Sequence, residues 1–361
     1  MRNTRKLHAL GQSLWLDSIT RKILDDGALA HYIDHYSITG LTSNPTIFDE
    51  AIGNTTAYDA EIETKAKTGK RGEALFVELA LEDLRRAADL FRPTFESTDG
   101  VDGWVSMEVS PTLANDTRGS IEAAARIHEQ ADRSNLYVKI PGTPEGIPAI
   151  EESIFDGVPI NVTLLFSRDQ YIAAAEAYLR GIERRIAAGR APKVSSVASL
   201  FVSRWDKAVS EKVSTELRNR LGIAIACQTY RAYREILASS RWEKLAREGA
   251  NIQRLLWAST GTKDPNASDT LYVEALAAPD TINTMPEKTL LAFAEHGRIG
   301  GMLTDDGGDS EEEIERFRSA QIGIEALAIQ LQQDGAKQFA KSWDELMRRI
   351  AEKGHVLAST A

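Results

Sequence analysis

Short apolar segments alternate with longer segments of helical periodicity along most of the chain. Apolar residues recur every three to four positions in residues 74–91 and 169–189, as they do on one face of a helix. The short segments between such stretches are typical of buried strands. Eight segments fit that description: residues 13–17, 38–44, 104–109, 136–140, 159–166, 194–202, 254–259 and 281–284. Strands that alternate with helices in this way predict parallel β-α-β units.

Eight such units predict an α/β fold, a closed (β/α)8 TIM barrel. Barrels of this class often exceed 250 residues as one domain, so we expect residues 1–361 to form a single barrel domain. Residues 286–361 contain several further helical patterns, and no linker rich in Pro, Gly or Ser precedes them. We expect this segment to be a helical extension packed on the barrel. Its acidic stretch, residues 305–317, suits the first turn of a helix because carboxylates interact favourably with the helix dipole.

The charge of the chain bears on which kinds of molecule it can bind. The net charge is −10 and there is no long Lys/Arg segment, which argues against a nucleic acid or an anionic membrane as a partner. A small phosphorylated ligand needs only a local basic pocket.

No apolar segment approaches the roughly 18 residues of a membrane span, and no signal peptide is recognisable. Cys227 is the one cysteine, so the chain has no internal disulfide and we expect a reducing, cytoplasmic location.

Polar side chains occur near the carboxyl ends of seven predicted strands. In a barrel, alternate strand residues face inward and the active site lies at the carboxyl ends of the strands. A single polar residue at a strand end is usually only solvated, but seven at the same end predict a functional cluster. The polar residues on these seven strands are Asp17, Thr42, Asn44, Ser106, Glu108, Tyr137, Lys139, Asn161, Thr163, Ser199 and Ser259, and Phe201 shares the face of Ser199.

Lys139 is the residue with the most distinctive chemistry, because it lies inside the apolar segment LYVKI. Burial disfavours the charged form of an amine, and a neutral amine can form a Schiff base with a carbonyl. The resulting iminium accepts electrons, so the C–C bond one carbon away can break. Asp17 and Glu108 are the carboxylates available as acid and base. A structural lysine, paired with one of these carboxylates, is the alternative interpretation.

A phosphate site is predicted after the seventh strand, in the segment WASTGTKDPN at residues 257–266. The loops after strands seven and eight commonly bind phosphate in barrels. Gly261 permits a close approach of the backbone, and Lys263 supplies a positive charge. Arg204, just past strand six, is a second candidate. An ordinary surface turn is the alternative.

Four segments together resemble the transaldolase family: ITGLTSNPTIF, VSMEVSP, LYVKIPGT and INVTLLFS. They occur in the family's order, and the resemblance extends from Asp17 to about Ser259. It implies a Schiff-base aldolase-type barrel that needs no metal or organic cofactor. It also implies transfer of a dihydroxyacetone unit between sugar phosphates in the non-oxidative pentose phosphate pathway. Sedoheptulose 7-phosphate or fructose 6-phosphate would be the donor, and glyceraldehyde 3-phosphate or erythrose 4-phosphate the acceptor.

The resemblance also implies roles for individual residues. Lys139 would form the Schiff base, Asp17 would serve donor cleavage, and Glu108 with Thr163 would hold the catalytic water. The implied substrate-binding residues are Thr42, Asn44, Asn161, Ser199, Phe201, Arg204, Ser259 and Lys263. In shorter transaldolases the serine at Ser259 is followed two residues later by an arginine, where this chain has Gly261. Lys263 would then supply the missing charge.

Three alternatives remain open at this point. A fructose 6-phosphate aldolase releases free dihydroxyacetone, but the resemblance implies glutamine and tyrosine at the positions of Glu108 and Phe201 in that branch. A sugar-phosphate-binding barrel without catalysis is the second alternative. A metal-dependent barrel is the third, since His31 and His35 have the i, i+4 spacing of a zinc pair. No third ligand is recognisable, and zinc sites need at least three. A homodimer is implied by the resemblance alone.

Overall fold

The computed structural model describes residues 2–359. Its strands are β1 Gln12–Asp17, β2 Ile38–Thr42, β3 Val105–Glu108, β4 Leu136–Pro141, β5 Ile160–Leu165, β6 Ser196–Phe201, β7 Gln253–Ala258 and β8 Thr281–Met285. Its helices are α1 Asn3–Ala9, α2 Arg21–Asp25, α3 Ala28–Tyr36, α4 Pro45–Gly53, α5 Asp59–Lys67, α6 Gly72–Ser97, α7 Thr117–Ala131, α8 Gly146–Asp156, α9 Arg168–Ala187, α10 Ser203–Val209, α11 Leu221–Leu237, α12 Ser240–Arg247, α13 Leu271–Ala275, α14 Glu287–His296, α15 Ser310–Ser319 and α16 Ile324–Ser359.

The eight strands are parallel and form one sheet in the order β2-β1-β8-β7-β6-β5-β4-β3. A bridge between Gly40 and Trp104 joins the two outer strands, and the Leu41 amide donates to the Trp104 carbonyl at 2.9 Å. The predicted α/β barrel is therefore confirmed. Every observed strand begins and ends within two residues of its predicted segment.

Local side-chain signals set where several helices begin. A side-chain oxygen of the residue before the helix accepts a hydrogen bond from a backbone amide of the first turn, which satisfies one of the free amides there. Five helices begin this way, after Thr20, Asn44, Asp116, Ser167 and Ser239. Asn44 lies two residues after the end of β2, so this cap also holds a predicted site residue at the barrel rim.

Aromatic side chains fill part of the barrel interior below the strand ends. The Trp104 and Tyr137 rings stack with their centroids 4.0 Å apart, and the Trp15 ring lies 6.2 Å from that of Tyr137. Tyr137 precedes Lys139 by two residues and so shares its inward face. The predicted site therefore lies above a tightly packed aromatic layer.

Residues 310–359 contain two helices that contact the barrel. Three glutamates occupy the first turn of α15, as expected from the acidic stretch. The last helix, α16, continues for 36 residues where the sequence suggested several helical patterns. It packs against α4, with Thr46 and Ser342 hydroxyls 2.8 Å apart and an ion pair of 2.8 Å between Arg349 and Asp49. The assignment of residues 1–361 to one domain, with 286–361 as its extension, stays a prediction.

None of the helices between residues 2 and 359 combines the length and the apolarity that crossing a lipid bilayer requires.

Candidate active site

The strand register brings the predicted catalytic residues to one end of the barrel. Asp17 pairs with Thr42, Glu108 pairs with Lys139, and Lys139 pairs with Asn161. Because these strands are parallel, residues in register lie at the same height along the barrel axis. The sequence prediction of inward-facing polar residues at the carboxyl end is thus met for these strands.

Lys139 is held between a carboxylate and a backbone carbonyl. Its Nζ lies 3.3 Å from Oε2 of Glu108 and donates to the Ser43 carbonyl at 3.0 Å. The Lys139 and Glu108 side chains are 6% and 3% exposed, so this ion pair is almost sealed from solvent. The alternative interpretation, a structural lysine, required an ion pair with Asp17 or Glu108, and the pair with Glu108 is present. Lys139 also borders a cavity, so the same amine is placed to meet a ligand.

Glu108 combines burial with unused hydrogen-bonding capacity. Burial raises the pKa of Glu108, and the positive charge of Lys139 opposes that rise. Oε1 of Glu108 and Oγ1 of Thr163 are buried and have no hydrogen-bond partner within the described protein. Buried polar atoms normally find a partner, and a water molecule or substrate hydroxyl would meet that need at both.

Asp17 accepts a hydrogen bond of 2.7 Å from the Thr42 hydroxyl. Burial raises the pKa of Asp17, while the Thr42 hydrogen bond and the charges of Lys139, Lys263 and Arg204 oppose the rise. A raised pKa makes the Asp17 carboxylate a stronger base, which suits a group that accepts a proton and later returns it.

The eighth strand also contributes to the site, which the sequence analysis did not anticipate. Thr284 near the end of β8 forms a hydroxyl–hydroxyl contact of 2.7 Å with Thr42, and both line the cavity. The signal that identified the other strands, a polar residue near the carboxyl end, is present in TINTM and would have found Thr284.

A cavity of about 390 Å³ opens at this end of the barrel. Ten of the twelve predicted catalytic and binding residues line it: Asp17, Thr42, Asn44, Lys139, Thr163, Ser199, Phe201, Arg204, Ser259 and Lys263. Glu108 and Asn161 lie behind its surface. Asn161 is fully buried, donates to the Ser106 hydroxyl at 3.2 Å and accepts from the Ser199 hydroxyl at 2.7 Å.

Arg204 and Lys263, the cations predicted to bind phosphate, follow the neighbouring strands β6 and β7 and line the cavity. The Arg204 guanidinium lies over the Phe201 ring, 5.1 Å from its centroid, and 5.7 Å from that of Phe339. Lys263 is exposed in the loop after β7, and Ser259 at the start of that loop has the left-handed φ of 57°. Left-handed backbone at a non-glycine residue costs energy and often marks functional sites. The segment predicted to bind phosphate therefore reaches the cavity.

Two helices supply lining residues that the sequence analysis missed. Thr46 and Glu50 come from α4, and Gln338 and Phe339 come from α16. The α4 residues closely follow Asn44, so the helical periodicity after β2 could have indicated them. No local pattern could have placed α16 over a strand end that precedes it by more than 150 residues.

The residues that suggested metal chemistry lie elsewhere. His31 and His35 are exposed on α3, with ring centroids 4.5 Å apart. Across residues 2–359, no three or more His, Cys, Asp or Glu side chains are grouped as a metal site requires. Burial raises the pKa of Cys227 to about 12, so its thiol is a poor nucleophile.

Comparison with known proteins connects this geometry to one family. The model of the transaldolase/fructose-6-phosphate aldolase family matches residues 14–350. A transaldolase of Saccharopolyspora erythraea is 42% identical over 358 residues, which cover 97% of each chain. A transaldolase of Thermobifida fusca is also 42% identical, again over 97% of each chain. "Transaldolase 2" of Nostoc punctiforme is 39% identical over 96% of each chain. The chain belongs to the transaldolase/fructose-6-phosphate aldolase family.

Proposed function

We propose that this chain is a transaldolase, a transferase that moves a dihydroxyacetone unit from a ketose phosphate to an aldose phosphate. Fructose 6-phosphate and sedoheptulose 7-phosphate are the proposed donors, with erythrose 4-phosphate and glyceraldehyde 3-phosphate as acceptors. The observation that carries the proposal is the buried amine of Lys139, 3.3 Å from Glu108, in the wall of a cavity that Asp17 and Arg204 also line. The near-full-length similarity to transaldolases supports the same reaction.

Lys139 first attacks the C2 carbonyl of the donor. The lysine must lose a proton, and Glu108 is placed to accept it because burial favours the protonated carboxyl. The attack forms a C–N bond, and loss of the former carbonyl oxygen as water then gives an iminium. A water held between Glu108 and Thr163 would carry the protons of this step, since both residues have free hydrogen-bonding atoms there.

Asp17 then serves the cleavage and the transfer. Asp17 takes the proton of the C4 hydroxyl, and the C3–C4 bond breaks. The electron pair of that bond moves to the iminium and gives an enamine. The C4 fragment leaves as an aldose phosphate. The enamine carbon next attacks the C1 aldehyde of the acceptor, and Asp17 returns the proton to the new hydroxyl. Addition of water across the iminium releases the ketose product and restores Lys139.

The remaining lining residues bind the substrate. The side-chain oxygen of Asn44 accepts a hydrogen bond from the Ile47 amide in the first turn of α4. Its amide nitrogen is therefore left to bind the dihydroxyacetone hydroxyls. Asn161 acts from behind the cavity by orienting Ser199. Arg204 and Lys263 bind the phosphate, because a guanidinium and an ammonium that line the cavity complement its charge.

Transfer is distinguished from simple cleavage by a coupled assay. With fructose 6-phosphate alone, we expect little free dihydroxyacetone. With erythrose 4-phosphate added, we expect glyceraldehyde 3-phosphate and sedoheptulose 7-phosphate in equal amounts. Steady release of dihydroxyacetone without an acceptor would instead favour the aldolase alternative, which Glu108 and Phe201 argue against. Tight sugar-phosphate binding without turnover would favour a non-catalytic barrel.

We also propose a homodimer that acts in the cytoplasm, in the non-oxidative pentose phosphate pathway where these sugar phosphates occur. Light scattering should give a mass near twice that of the 39.7-kDa chain. A mass equal to one chain at micromolar concentration would contradict the dimer without affecting the proposed reaction. Cell fractionation tests the location.

A further inference from the structure

Gln332 is a buried polar residue of α16 that bonds to the ends of two catalytic strands. Its side chain is 7% exposed, and Nε2 donates to the carbonyls of Gly142 and Leu164, each at 2.9 Å. Gly142 follows β4 three residues after Lys139, and Leu164 directly follows Thr163 in β5. We infer that Gln332 is a positioning residue that fixes Thr163 relative to Lys139. This inference rests on the proposed transaldolase function.

The backbone of β5 is strained at the point that Gln332 contacts. Leu164 has a φ of 58°, in the left-handed region that a leucine adopts only at an energetic cost. The register between β5 and β6 shifts between Val162 and Leu165, so regular strand pairing is interrupted there. A buried carbonyl at such an interruption needs another donor. Gln332 supplies it and thereby holds Thr163 in its orientation toward the cavity.

The end of β4 is tied into the same set of hydrogen bonds. The Gly142 amide donates to the Thr163 carbonyl at 2.7 Å, while the Gly142 carbonyl accepts from Gln332. One side chain thus bridges two strand ends that also bond to each other. Loss of its amide group would leave two buried carbonyls without this donor and let the strand ends shift.

A glycine one turn further along α16 permits this contact. A Cβ at Gly335 would lie 2.9 Å from Cδ2 of Leu164 and 3.2 Å from Nη1 of Arg204. Both distances are shorter than ordinary carbon contacts. Gly335 therefore lets α16 approach β5 closely enough for Gln332 to reach both carbonyls.

The first test replaces Gln332 with methionine, which has a similar length but no donor. Gln333→Met, at an exposed neighbouring position, is the matched control. We expect kcat of Gln332→Met to fall roughly tenfold or more, since small displacements of reacting groups slow catalysis strongly. The KM for fructose 6-phosphate should change little, because the phosphate site is left intact. Rapid-quench borohydride trapping should show slower Schiff-base formation at Lys139, with the folded fraction measured by circular dichroism.

The second test, Gly335→Ala, separates positioning from folding. Alanine raises the helix propensity, but its Cβ has to displace Leu164 and Arg204, so folding is measured separately and kcat per folded molecule should fall. This variant decides the matter if Gln332→Met does not fold. Wild-type kcat per folded molecule in Gln332→Met, or in Gly335→Ala, would overturn the inference and leave the transaldolase proposal standing. No Schiff base at Lys139 in the wild-type protein would instead overturn the proposed function itself.

Discussion

The position of one proton between Lys139 and Glu108 decides whether the amine can react. Nζ of Lys139 lies 3.3 Å from Oε2 of Glu108 in a nearly sealed site, so a proton can pass directly between the two groups. Burial raises the pKa of Glu108, which favours transfer of the proton from the lysine to the carboxylate. The Ser43 carbonyl gives the amine a fixed orientation in either state.

Lys139→Arg should abolish transfer and leave the protein folded. A guanidinium keeps the charge beside Glu108 but remains protonated and cannot form an imine. Activity should fall to the assay background, whereas Lys207→Arg at an exposed position of α10 should retain wild-type activity. Measurable turnover by Lys139→Arg in the coupled assay would remove Lys139 from its proposed role.

Asp17→Asn should stabilise the fold at neutral pH by about 1 kcal/mol while removing activity, as charged active-site groups often lower stability. Burial raises the pKa of Asp17, so the folded protein holds this proton more strongly than the unfolded chain does. The ionised carboxyl therefore destabilises the fold as pH rises from the unfolded pKa through the folded pKa. Below that window the gain from Asp17→Asn should vanish.

Urea denaturation at pH 3, below that window, and at pH 7 measures this difference. Asp26→Asn is the control, because the pKa of Asp26 shifts in the opposite direction: a hydrogen bond from Lys22 lowers it. That substitution should not stabilise the protein at pH 7. Equal stability of Asp17→Asn and wild type at both pH values would contradict the destabilising charge proposed for Asp17.

The elements of the active site are joined by α16, which contacts both α4 and the end of β5. Gln332 bonds to the strand ends, Phe339 lies beside the guanidinium of Arg204, and Arg349 pairs with the buried Asp49 of α4. Helix α4, which Asn44 caps, is therefore held by α16, and α16 also contacts the predicted phosphate-binding residue Arg204. Loosening α16 should affect stability and substrate binding together.

Arg349→Met should destabilise the protein by about 2 kcal/mol, less than the loss of a fully buried pair because Arg349 is partly exposed. It leaves Asp49, whose side chain is 8% exposed, without its cation. Arg348→Met breaks only an exposed pair with Glu352 and should change stability by less than about 0.5 kcal/mol. Chemical denaturation measures both variants, and equal effects would show that the α4–α16 ion pair does not hold the helices together.

Closure of the barrel is the feature of the whole molecule on which the site depends. The outer strands meet at Gly40, where a Cβ would lie 2.6 Å from the Trp15 ring and 2.8 Å from the Trp104 carbonyl. Only glycine lets β2 approach β3 and the aromatic layer there. Trp15 precedes Asp17 by two residues on β1, so this contact lies below Asp17 on the same face of the strand.

Gly40→Ala should destabilise the protein by about 2 kcal/mol, since overpacking a filled core displaces side chains and backbone. Gly300→Ala is the control, because a Cβ at that exposed position meets nothing within 4 Å. It should change stability by less than about 0.5 kcal/mol. Thermal denaturation of the two variants checks this, and a wild-type melting temperature for Gly40→Ala would mean that the strands can separate without cost.

The sequence predicted the barrel well because its signals are local. An apolar strand such as LYVKI carries both its own structure and, through alternation, the inward direction of Lys139. The contacts of α16 were not predictable, because Gln332 acts on strand ends 168 and 190 residues away. The burial of Asn161 behind Ser199 also depends on packing between strands, which the pattern along one strand does not specify.

Borohydride trapping is the most direct test of a Schiff base at Lys139. The protein is incubated with fructose 6-phosphate and no acceptor, reduced with borohydride and analysed by peptide mass mapping, with Lys139→Arg as the control. We expect a reduced dihydroxyacetone adduct on Lys139 that is lost when erythrose 4-phosphate is added before the borohydride. No adduct on any lysine of the folded protein, or an adduct on a lysine other than Lys139, would contradict it.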